Sequence, residues 1–123
     1  MVESATRSTL AVIRQAPYGN SLARTAIDVS LANAAFDQPV ALLFMGDGVL
    51  QLLPAQDAAA LGRKNLARLL ASLPLYGIEQ VYVDAEAAER YQVDLEQSPV
   101  AAVPLDEADM LALLRKHDHL LGF

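Results

Sequence analysis

Few residues in this chain are of the types and spacings that do chemistry. Asp47 sits between Gly46 and Gly48, directly after the apolar run Val40–Met45. Asp84 follows a second apolar-rich run, Ile78–Val83. Acids at strand ends can serve as general bases or as Mg²⁺ ligands, but a site of that kind needs two or three of them converging. A companion lysine is also expected, and none follows a later strand. G-x-G at 46–48 lacks the third glycine of a dinucleotide fingerprint, and its aspartate stands where an anion would have to approach. No G-x-x-x-x-G-K-[ST] phosphate loop occurs. The bland reading of Gly46-Asp47-Gly48 is a strand-to-helix turn, with glycine supplying φ > 0 and aspartate accepting local backbone N–H bonds.

The two histidines, His117 and His119, flank Asp118. On a strand both would point to one face, whereas on a helix they would diverge. Two ligands without a third make a poor metal centre, so no metal or other cofactor is expected. Tyr18 and Tyr76 fall in loops and are candidates for an interface or for partial burial. The chain has no cysteine. Thiolate metal sites, cysteine nucleophiles and persulfides carried by the chain itself are thereby excluded.

The elements that position these residues are legible from their periodicity. Ser8–Ile13 reads as a first strand, closed by the turn formers Ala16–Asn20. Apolar residues from Ala23 to Ala34 recur at helical spacing behind Ser21 as N-cap. Val40–Met45, apolar on both faces, suits the buried middle of a parallel sheet. A leucine-striped helix starts near Asp57 and ends at Tyr76-Gly77. Ile78–Val83 is a third strand and Asp84–Arg90 a short helix. Val100–Pro104 is a fourth strand, with the proline expected at its end. Asp106 caps a last helix, and Asp118–Leu121 is a fifth strand. This β-α alternation predicts a single domain over 1–123, a three-layer α/β/α fold around a five-stranded parallel sheet.

Length and composition agree with one domain, since 123 residues can bury roughly two thirds of the unfolded surface. The chain is 54% hydrophobic, yet its longest apolar run is the six residues of Val40–Met45. That is far short of the ~20 residues of a membrane helix, and no secretory leader is read at the N-terminus. A cytoplasmic location is expected. The greasiness suggests apolar surface covered by another subunit. Charge is uneven: residues 79–109 hold nine acids and one base, so −8 of charge collects there against +2 elsewhere. That balance argues against a nucleic-acid-binding face, which depends on Lys and Arg.

Two stretches carry a resemblance, DGVLQLLPAQ (47–56) and LPLYGIEQVYV (73–83), supported by APYGNSLARTAIDVSLA (16–32) and the ending HDHLLGF. They are similar to the D-G-V-x-Q-L-L-P-x-Q and Y-x-I-E-Q patterns of the TusC/DsrF family of sulfur-relay subunits, on the TusC side. The resemblance covers nearly the whole chain. It implies a DsrE/DsrF-like fold, and assembly with TusB-like and TusD-like paralogues into a heterohexamer. Such a complex passes persulfide sulfur to a downstream acceptor for 2-thiolation of the tRNA wobble uridine. The DsrF alternative serves sulfur oxidation, and a stand-alone small-ligand module is the reading outside the family. The resemblance also implies that Asp84 stands where the paralogue has its active cysteine, so this chain is expected to be a partner rather than an enzyme. Candidate interface or structural residues are Tyr18, Gly46, Asp47, Gly48, Val49, Gln51, Leu52, Leu53, Gln56, Tyr76 and Asp84. The run Val49–Leu53 is expected to be an apolar docking element.

Overall fold

The structure is a computed structural model that describes residues 8–14, 39–53 and 68–122. The helix expected over 21–34, most of the one starting near Asp57, Tyr18 and Gln56 lie outside the described residues.

Five strands form one sheet: β1 (Thr9–Ile13), β2 (Val40–Phe44), β3 (Gln80–Asp84), β4 (Val103–Leu105) and β5 (His119–Gly122). Their order is β4-β3-β2-β1-β5, and every pair is parallel. β1 and β2 lie in the middle and are buried at every position, which is why they read as continuous apolar runs.

Strand alternation divides the core between the two faces of the sheet. Ala11, Ile13, Leu42, Phe44, Val81 and Val83 point to one face, where they meet Val49, Leu52, Leu70, Leu73 and the alanines of helix α1 (Ala85–Arg90). Leu10, Val12, Ala41 and Leu43 point to the other, against Met110 and Leu113 of helix α2 (Glu107–Lys116). The first four strands step across the sheet in one direction and β5 returns to the far side of β1. A right-handed crossover on that return must lie on the opposite face, and α2 does. The three-layer α/β/α architecture with its five-stranded parallel sheet is therefore as the alternation predicts.

Several boundaries shift by a residue or two, β3 covering Gln80–Asp84 rather than 78–83, and three differences have a structural reason. β4 covers Val103–Leu105 rather than 100–104, and Pro104 sits at its centre. An edge strand tolerates this because one of its sides has no ladder to supply. Val100, expected in the strand, is instead buried in the core beside it. The leucine-rich helix stops at residue 71, because Pro74 has no N–H to donate to the Leu70 carbonyl and its ring would crowd that oxygen. A 3-10 turn, Leu73–Tyr76, follows, and Gly77 ends it in the left-handed region at φ +85°. Finally, β5 begins at His119, so His117 is not on a strand. It closes α2, with Nδ1–H donating to the Leu113 carbonyl at 2.9 Å.

Candidate functional site

The strand-end acids are held by local chemistry at the carboxyl ends of β2 and β3. Past Phe44, the Met45 amide donates to the Ile13 carbonyl at 2.9 Å, extending the β1–β2 ladder by one bond. Gly46 then turns the chain at φ +52°, and Gly46–Leu52 winds into a seven-residue 3-10 helix. The predicted turn is present, but the two glycines serve different needs. Gly46 supplies the left-handed conformation, with open space where a side chain would be. Gly48 supplies close approach, since a Cβ there would stand 2.0 Å from the Ile13 carbonyl oxygen.

The apolar residues after the turn face inward. Val49 and Leu52 are completely buried, and Gln51 is nearly so. Leu50 and Leu53 are half-buried. The segment read as a docking element thus sends Val49 and Leu52 into the chain's own core, because the 3-10 turn lays that face on the sheet. Their contribution is structural. Within the predicted set it is Tyr76 that presents a large apolar surface, at 57% exposure, beside Leu75 at 86%.

Asp47 also differs from expectation. It does not take local amides; its exposed carboxylate accepts the hydroxyl of Tyr91, 44 residues further on. The backbone-capping role falls to Asp84. One oxygen of Asp84 accepts the Ala87 amide at 3.2 Å as the N-cap of α1, and the other accepts the Gly46 amide at 3.4 Å. Asp84 and Tyr91 are therefore brought to consecutive residues of one turn, Gly46 and Asp47. Tyr91 carries no sequence signal for this role, because its partner is remote and the intervening chain gives no periodic link. Arg90 lies over the Tyr91 ring at 5.8 Å and pairs with Glu86 at 3.8 Å. Such an exposed pair contributes little to stability.

Among the described residues, no group of three or more His, Asp and Glu side chains is placed to hold a metal ion. His117 and His119 are parted by the end of α2 and the start of β5. Among the same residues, no helix is long and apolar enough to cross a membrane. What the strand ends present is a pinned turn: two carboxylates engaged by backbone amides and a tyrosine hydroxyl.

Comparison with known proteins places this arrangement. A family model described as DsrE/DsrF-like matches residues 7–123. The chain belongs to the DsrE/DsrF-like family. It is 36% identical over 115 residues to a protein named TusC homolog from Pseudomonas aeruginosa, an alignment covering 94% of this chain and 97% of that one. A TusC homolog from Vibrio vulnificus is 31% identical over 112 residues, with 91% and 95% covered. The intracellular sulfur oxidation protein DsrF of Allochromatium vinosum is 43% identical over 76 residues, 62% of this chain and 56% of that one. The resemblance carried by DGVLQLLPAQ and LPLYGIEQVYV is thereby borne out. In three dimensions this DsrE/DsrF-like chain is similar to the ychN protein from E. coli, with a TM-score of 0.77 at 14% identity over 96% of this chain and 100% of that one. At that identity the likeness speaks for the fold alone.

Proposed function

We propose that this chain is a non-catalytic subunit of a TusBCD-type sulfur-relay complex, acting with TusB-like and TusD-like paralogues in the cytoplasm. The complex passes persulfide sulfur toward 2-thiolation of the tRNA wobble uridine. The observation that carries the reading is the state of Asp84. Persulfide relay needs a thiolate, and this chain has no cysteine. At the strand end where the family resemblance implies a cysteine in the paralogue, the carboxylate is engaged by two backbone amides. Its role is then architectural: it holds a cysteine-bearing partner in place and shapes the surface that the downstream acceptor meets. Tyr76 and Leu75, exposed on one turn, suit such a contact. Membership in a family of sulfur-relay subunits and full-length similarity to TusC homologs support this reading. The acidic balance supports leaving RNA contact to other chains.

A DsrF-type role in sulfur oxidation is the second reading, favoured by the higher identity to DsrF over the shorter stretch. Neighbouring genes for a dissimilatory sulfite reductase would favour it over the Tus pathway.

The test is co-expression with TusB-like and TusD-like chains of the same genome, followed by light scattering and exposure to a ³⁵S-loaded persulfide donor. Co-purification in one particle is expected, with label on the cysteine-bearing chain and none on this one. Deletion of the gene should lower tRNA 2-thiouridine. A stable monomer that binds neither paralogue would sink the proposal.

A further inference from the structure

Helix α1 is tied at its two ends to two consecutive residues of another segment, one at each end. At its start, the Asp84 carboxylate bridges the Ala87 amide, within α1, and the Gly46 amide, at the head of the 3-10 helix. At its end, the hydroxyl of Tyr91, the C-cap residue, donates to the Asp47 carboxylate. Beneath these polar ties, Ala87 and Ala88 share a core cluster with Val49 and Leu52.

We infer that Asp84 and Tyr91 are positioning residues which join α1 and the 3-10 helix Gly46–Leu52 into one mechanical unit that orders or loosens as a whole. Neither segment is self-sufficient. A six-residue helix is too short to be stable alone in water, and 3-10 geometry rarely persists beyond three or four residues, against seven here. Each supplies what the other lacks. The 3-10 helix gives α1 a fixed base, and the ends of α1 hold the 3-10 helix by its Gly46 amide and its Asp47 side chain. A ligand or protein that seats on either segment is consequently felt at the other, because local opening of the pair is a single equilibrium.

Amide hydrogen exchange on the intact chain tests this directly. The reporters are the amides of Gly48 and Leu53 on one side and of Tyr91 and Val93 on the other, each hydrogen-bonded within its own segment. Tyr91→Phe removes only the hydroxyl. Loss of one hydrogen bond should speed exchange at all four amides by a common factor of roughly 2 to 10, while the Met110 amide in the first turn of α2, on the opposite face of the sheet, stays unchanged because α2 frays locally with the pair intact. Asp84→Ala should move the same four together, and Asp47→Asn, which keeps an acceptor oxygen, should stay within about twofold of the parent. A change confined to Tyr91 and Val93 would overturn the inference, as would no change at any of the four. A rise shared equally by Met110 would mean loosening of the whole molecule and would overturn it as well.

Discussion

At the scale of single residues, Gly46 and Gly48 look alike in the sequence and differ in the fold. The first has a left-handed backbone and empty space around it; the second has an ordinary backbone pressed on the Ile13 carbonyl. Alanine should separate them. Gly46→Ala meets only backbone strain and should lower stability by about 1 kcal/mol. Gly48→Ala must displace backbone at 2.0 Å in the middle of the sheet, and overpacking of that kind costs about 1–3 kcal/mol or more. Urea denaturation of both variants checks the order, and a Gly48→Ala chain as stable as Gly46→Ala would contradict the packing argument. This distinction was not legible beforehand. Sequence reasoning finds a turn at Gly-Asp-Gly because few other residues allow one, but close approach is a property of the neighbouring strand. Asp47 shows the same limit, since its partner Tyr91 comes from a different element.

At the scale of elements, legibility followed burial. β1 and β2 announce themselves because both faces are buried and every residue is apolar, and the helical stripe around Met110, Leu113 and Leu114 is equally plain. The edge strand β4 is short and exposed, so its residues answer to fewer constraints and its register could not be read from them. The end of α1 is a further case. Gln92 adopts φ +55° where glycine is usual, with its amide on the Glu89 carbonyl and the next amide on that of Ala88. A β-carbon in that region is strained, although glycine also loosens the unfolded chain. Gln92→Gly should therefore stabilise the protein by about 0.5–1 kcal/mol. A thermal melt reads the shift, and a lower Tm would show that the Gln92 side chain itself supports the turn.

At the scale of the whole molecule, the strand order sets a constraint on how the protein is made. β1 lies between β2 and β5, so its outer edge is completed by residues 119–122, more than a hundred positions later. The join is reinforced beyond the ladder: the His119 amide donates to the Ser8 carbonyl at 3.0 Å, and the Ser8 amide to the Asp118 carboxylate at 3.1 Å. On the ribosome the most apolar part of the sheet must therefore wait, with one flank bare, until residues 119–122 emerge. Contacts this distant slow folding, and a bare strand flank invites pairing with another chain. Removing residues 119–123 should leave the rest of the sheet's sequence intact and yet send the protein to the insoluble fraction, which a solubility assay on cell extracts reads. A truncated chain that stays soluble and monomeric would contradict this. The nascent chain is thus exposed to misassociation until residues 119–122 have been made, and a cell making it has reason to shield that flank or to complete it quickly.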